Sequence, residues 1–246
     1  MAGLFHQFIY LPLYNALVFL IGIVPAEEVG LAVIVLTILV RIIVFPLASR
    51  AIRAQVGMRA IAPELEKIKE QYKDDKEEQA RKTFEVYKEN NISIGAPFLF
   101  ILVQLPLLLG LYWVFLKGGL PNVDPSLLYG FVSVPDSPNM NLLGLVNMAD
   151  KSIILALLAG VTQYFFTRLS MPAPPKEGSG FQHDLAKSMH VQMRYVFPVL
   201  ITIFAYSFSA AVALYWVTGN LFSIAQELWV RRTLKKEQTY ESNNNN

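Results

Sequence analysis

Residues 31–49, LAVIVLTILVRIIVFPLAS, are an apolar run interrupted by one charge, Arg41. Roughly 20 predominantly apolar residues cross the hydrocarbon core of a bilayer as a helix, and residues 30–49 have that length. The run predicts a transmembrane helix with an arginine at mid-depth, at a cost of about 2.5–3.5 kcal/mol on insertion scales. Snorkelling of the guanidinium to the interface is the plainer remedy. Arg41 is nine residues from Arg50, which at about 1.5 Å per residue is ~13 Å of helix, a long reach. A wet or polar cavity inside a helical bundle fits better.

The chain has 246 residues, 54% of them hydrophobic and 16% charged. That balance is too apolar for an ordinary soluble domain and predicts a multi-span membrane protein. Cysteine is absent, which excludes disulfides, thiolate zinc sites and cysteine nucleophiles. His6, His183 and His190 are scattered, and none has a metal-ligand spacing with an acidic neighbour. There is no phosphate loop, so neither a cofactor, a metal nor an ATP site is expected. The N-terminus has no basic n-region, so a signal peptide is not expected.

The predicted organisation is an all-α, polytopic, five-span bundle with a cytoplasmic helical hairpin and an N-terminal interfacial helix. Residues 1–25 form the interfacial helix, because His6, Gln7, Tyr10, Tyr14 and Asn15 crowd its first half and aromatics with polar tips prefer the interface. A span at residues 3–24 is the alternative. Glu27 and Glu28 then suit the positive end of the first span, 26–50, where Pro46 predicts a kink. Residues 51–92 form the hairpin. Met58, Ile61, Leu65, Ile68 and Tyr72 mark the seam of its first helix. Asp75 with Glu78 opens its second as a capping box, with Ala80, Phe84 and Tyr87 on one face. The second span is 93–117, an extracytoplasmic loop 118–150, the third span 151–170 and a cytoplasmic loop 171–188. The fourth and fifth spans are 189–207 and 208–230, and a cytoplasmic tail, read as disordered at its end, occupies 231–246.

Basic residues orient the bundle. Residues 1–27 and 118–150 contain no Lys or Arg, whereas the hairpin, the 171–190 loop and the tail are basic. The positive-inside rule then places the N-terminus outside and the hairpin and C-terminus in the cytoplasm. No Asp or Glu lies deep in a predicted span, which argues against an ion-coupled transporter. Ser207 and Ser209 have no histidine at membrane depth, which argues against nucleophilic catalysis. A polar set remains: Arg41, Thr37, Gln104, Gln163, Thr202, Tyr215, Trp216 and Asn220. Interhelical hydrogen bonds account for any single amide among them. Arg41 has no carboxylate at its depth in the sequence, and as a hydrated cation it would attract anionic or polar peptide segments. A channel or anion transporter with Arg41 as its ligand site is the rival reading.

Four blocks give the chain a family likeness: PLYNAL; TILVRIIVFPL with Arg41; APELEKIKEQYKDD followed by YKEN; and VQLPLLLGLYWVF paired with LYWVTGNLFSIAQE. They resemble the YidC family of membrane-protein insertases, related to the mitochondrial Oxa and chloroplast Alb proteins. The resemblance implies a bacterial plasma (inner) membrane protein with a groove open to cytoplasm and lipid but closed outside. It makes Arg41 the groove arginine and assigns Thr37, Tyr215 and Trp216 to the groove lining, with Gln163 near a polar groove position. Gln104 and Asn220 complete the expected groove, and Leu108, Tyr112 and Leu214 form a slide for the apolar part of a substrate. Implied partners are nascent membrane proteins and the lipid bilayer, with the ribosome and the Sec translocon as further candidates; no specific nucleic-acid site is expected. Against the Gram-negative type, neither a large extracytoplasmic domain nor an extra N-terminal span is expected here, and the short, asparagine-ended tail is not expected to bind ribosomes.

Overall fold

Apolar residues at helical spacing dominate the chain, and helices dominate the fold. The computed structural model describes residues 2–117, 120–171 and 187–244. The helices are α1 (Gly3–Ile23, with a π-turn at His6–Tyr10), α2 (Val29–Ala60), α3 (Ala62–Gln71), α4 (Lys76–Glu89) and α5 (Gly95–Lys117). After them come α6 (Ile153–Ser170), α7 (Phe197–Ser207, preceded by a π-turn at Gln192–Val196) and α8 (Ala210–Asn244). Among the described residues, four helices are long and apolar enough to cross a membrane: Gly3–Ile23, Val29–Ala60, Gly95–Phe115 and Ile153–Ser170. The protein is therefore an all-α polytopic membrane protein. The 171–188 loop lies largely outside the described residues.

Two compact units divide the chain: Met1–Ile43 with Gln104–Ile224, and Val44–Val103 with Ala225–Asn246. In the first unit α1 buries Leu13, Tyr14, Leu17, Val18 and Ile21, a stripe at the three-and-four spacing of one helical face. Its polar residues divide: His6 and Gln7 are exposed, whereas Tyr14 and Asn15 turn inward. Tyr14 is fully buried and its hydroxyl accepts from Asp124 N at 3.0 Å. Asn15 Nδ2 donates to Leu127 O at 2.9 Å, and its Oδ1 accepts from Tyr129 N at 2.6 Å. Tyr14 and Asn15, two of the residues that suggested an interfacial helix, thus tie down the loop that follows α5. Glu27 and Glu28 do the same. Their carboxylates accept from Ser137 N at 2.8 Å and Leu143 N at 3.1 Å.

Residues 120–150 are structured. They contain a 3-10 turn at Pro125–Leu127 and a small antiparallel hairpin, β1 (Asn141–Leu142) with β2 (Val146–Asn147). Leu143 and Gly144 turn it with φ of 49° and 70°. The loop ends by accepting the first amides of α8, Ala210 N to Asp150 O at 2.7 Å and Ala211 N to Met148 O at 3.2 Å. Elsewhere in this unit α5 lies close on α1. A Cβ on Gly110 would stand 2.6 Å from Ile9 and 2.8 Å from Leu13. Ser152 caps α6, accepting from Leu155 N at 3.3 Å, and α6 buries the small residues Ala156, Ala159 and Gly160 that let helices approach.

In the second unit α2 continues as one helix through Pro46 to Ala60, past the expected boundary at 50. Ile61 breaks it and Pro63 opens α3, because a proline in the first turn lacks only an amide that has no partner there anyway. The hairpin is therefore α3 and α4. Asp75 caps α4 as expected, accepting from Glu78 N at 3.0 Å. The face of α4 differs from expectation. Phe84 is 63% exposed and Val86 is the buried residue. The tail differs too: α8 runs on to Asn244. Apolar Val230 is buried, and Glu227 pairs with Arg231 one turn on, at 2.7 Å, a spacing that supports a helix.

Candidate functional site

The first unit gathers the candidates around α8. Tyr215, Trp216, Gly219 and Asn220 occupy successive turns of that helix. Arg41, half-buried on α2, lays its guanidinium directly against Gly219: a Cβ there would stand 2.7 Å from Nη2 and 3.4 Å from Nε. Glycine is what lets a planar cation lie flat on the helix backbone. Among the described residues Arg41 forms no ion pair, and Tyr215 stands one helical turn before Gly219 on α8. Gln104 of α5 donates to the Tyr215 hydroxyl at 3.4 Å.

The neighbouring residues turn to other helices. Trp216 Nε1 donates to Gln163 Oε1 of α6 at 3.1 Å, and Gln163 Nε2 donates to Thr167 Oγ1 at 3.2 Å. Asn220 Nδ2 donates to Thr162 Oγ1 at 3.2 Å. Gln163 and Asn220 are each 6% exposed, so these are interior bonds that join α8 to α6. Thr37 is buried and its hydroxyl donates to its own Val33 O at 2.7 Å. Thr202 likewise bonds Pro198 O at 3.1 Å and packs against Gly160. The sequence-predicted polar set thus divides into an Arg41–Tyr215–Gln104 arm, a Trp216–Gln163 and Asn220–Thr162 seam, and two threonines bonded to their own helices.

Beside the Arg41 arm is an apolar cavity of about 310 Å³. Leu108, Tyr112, Phe204, Phe208, Val212 and Trp216 line it. Leu108 and Tyr112, both expected as slide residues, line this cavity. Leu214 does not; it faces the core and is 6% exposed. Sequence reasoning missed Gly219, Phe204, Phe208 and Val212. Phe204 and Phe208 are four residues apart with ring centroids at 4.6 Å, and Phe204 meets Trp216 edge-on at 5.8 Å. That i,i+4 aromatic spacing was the available signal.

A half-buried cation without a carboxylate ion-pair partner among the described residues, set among apolar helices, fits a polytopic membrane protein. The sequence pattern of the family described as "60Kd inner membrane protein" matches residues 20–238. Among curated relatives, the membrane protein insertase YidC of Methylobacillus flagellatus is 31% identical over 215 residues, 87% of this chain and 34% of the relative. The same-named protein of Pseudomonas entomophila is 32% identical over 206 residues, 84% of this chain and 32% of the relative. That of Marinobacter nauticus is 30% identical over 230 residues, 94% of this chain and 36% of the relative. The chain belongs to the 60Kd inner membrane protein family and is a multi-pass protein of the bacterial inner membrane. It spans about a third of the length of these relatives.

Proposed function

We propose that the chain inserts integral membrane proteins and helps them fold, as the names of its relatives suggest. The observation that carries the reading is the seat of Arg41 on Gly219, beside Tyr215 and an apolar cavity. A fixed cation next to apolar side chains suits a two-part substrate, an acidic or polar flank followed by a hydrophobic segment. The flank enters a hydrated groove near Arg41, open to cytoplasm and lipid, and so crosses a shortened low-dielectric distance. The apolar segment passes Leu108, Tyr112 and Trp216 into lipid. Its burial drives the reaction at roughly 25 cal/mol per Å². A potential negative inside helps an acidic flank outward by about 2.3 kcal/mol per charge per 100 mV. No covalent step and no ATP are required of this chain. Nascent membrane proteins in the bilayer are the partners, with Sec or the ribosome optional to the mechanism.

The N-terminus is placed outside and the hairpin and C-terminus inside, on the basic-residue asymmetry. Five spans satisfy that parity with α1 lying at the outer interface. Photocrosslinking to a stalled nascent membrane protein tests the path. Probes at Leu108, Tyr112 and Trp216 are expected to capture the apolar segment, and a probe at core-facing Leu214 is expected to fail. Equal capture at Leu214 would overturn this path.

A further inference from the structure

The second unit contains a pocket of about 380 Å³ built from different chemistry. Arg50, Arg53 and Gly57 of α2 form one wall, the Asn91–Ser93 stretch after α4 another, and Leu234 of α8 closes it. Its floor is apolar and tight: a Cβ on Gly57 would stand 3.0 Å from Ile92 Cγ1. Its rim is cationic. Arg53 presents a two-pronged fork to Glu237, Nη1 to Oε2 at 2.9 Å and Nη2 to Oε1 at 3.3 Å. Both side chains are nearly half exposed, 41% and 49%, and Glu237 is held below the usual carboxylate range chiefly by that hydrogen bond. Arg50 is exposed and forms no ion pair among the described residues.

The position of the pocket points to its ligand. Arg50 directly follows the apolar run 31–49, the level at which a helix leaves hydrocarbon for the headgroups. Ser93 leads into α5, whose Phe98, Leu99, Ile101 and Leu102 are 70%, 48%, 54% and 56% exposed. A two-arginine pocket with an apolar floor, continuous in sequence with a lipid-exposed helix face, matches an amphiphile with a phosphate head and acyl chains. Basic pockets of this kind at the cytoplasmic face take anionic headgroups, and a guanidinium fork fits a phosphate as it fits a carboxylate. We propose that this pocket binds the phosphate headgroup of an anionic glycerophospholipid, its acyl chains lying along α5, and that Glu237 holds Arg53 when no headgroup does. A nucleic-acid phosphate or inorganic phosphate would use the arginines but has no need of the apolar floor or the exposed face of α5. The proposal rests on membrane location and on the cytoplasmic placement of the hairpin, and is independent of the insertase reading.

The test is lipid retention by the full chain in mixed micelles of dioleoylphosphatidylglycerol and dioleoylphosphatidylcholine, read by native mass spectrometry. The wild type is expected to retain phosphatidylglycerol selectively. R50Q/R53Q is expected to weaken retention about tenfold or more, since a charge-assisted hydrogen bond contributes about that much. E237Q, which frees Arg53, is expected to strengthen it, and K67Q/K69Q on the exposed hairpin to leave it unchanged. Should the double variant melt early, R50Q alone, at an exposed unpaired side chain, repeats the test with a smaller loss. Retention at wild-type level in both arginine variants, weaker retention in E237Q, or equal loss in K67Q/K69Q would overturn the proposal. Displacement of the lipid by millimolar inorganic phosphate or by an RNA homopolymer would overturn it in favour of a free-phosphate or nucleic-acid site.

Discussion

A single guanidinium laid on a glycine is the smallest unit of this molecule that explains something. Gly219 leaves Arg41 the space that a Cβ, 2.7 Å from Nη2, would occupy. Gly219→Ala is therefore a residue-scale test. The obstructing atom is the tip of a long side chain that can swing aside, so the fold should lose no more than about 1 kcal/mol, the low end of overpacking costs. The displaced cation should nonetheless lower the insertion of substrates with acidic flanks, measured in proteoliposomes against a neutral-flank substrate. Asn15 is a contrasting case. Its amide serves Leu127 O and Tyr129 N at once, and Asn15→Ala leaves both backbone groups without it. Thermal unfolding in detergent should show a loss of about 1–3 kcal/mol, the cost of unsatisfied buried polar groups.

Elements carry their own predictions and show what the sequence could say about them. In α4, Arg81 Nε donates to Glu78 Oε2 at 2.9 Å and Lys82 Nζ to Glu85 Oε2 at 2.7 Å. These bonds are the largest cause holding both carboxyls below the usual glutamate range. A depressed folded value means the pairs stabilise α4 above the unfolded glutamate value of about 4.3 and cease to as pH falls through the folded values. Amide protection factors in α4 should stay level from about pH 7 to 5 and decline below about 4. The Asp75 cap was legible because capping is a local chemistry of a few residues. The apolar face of α4 was not: Ala80, Phe84 and Tyr87 have helical spacing, yet tertiary packing buried Val86 instead. The role of Tyr14 and Asn15 was equally hidden. A polar residue reads the same at an interface as against a loop, and only the partner at residues 124–129 distinguishes them. Arg41, Tyr215 and Gln104 were legible because polar groups stand out in apolar helices. Gly219 was silent, since a glycine announces space without saying for whom.

For the whole molecule, the proposed topology fixes which residues face outward and can be read by labelling. The chain has no native cysteine, so single cysteines report without background. Labelling by a membrane-impermeant maleimide from outside is expected at residues 130 and 144 and not at residue 70 or 235, as the proposed orientation requires. Outside labelling of residue 3 would agree with α1 at the outer interface, and protection of residue 3 would make α1 a span. The central claim, that Arg41 is a fixed charge receiving the flank of an incoming chain, has a more direct test. Wild type, Arg41→Lys and Arg41→Ala proteins are reconstituted at equal density and given one substrate bearing an aspartate, a neutral residue or a lysine in its translocated flank. Arg41→Ala is expected to slow the aspartate substrate most, and Arg41→Lys to retain most of the activity. Insertion of all three substrates by Arg41→Ala at the wild-type rate would contradict that claim.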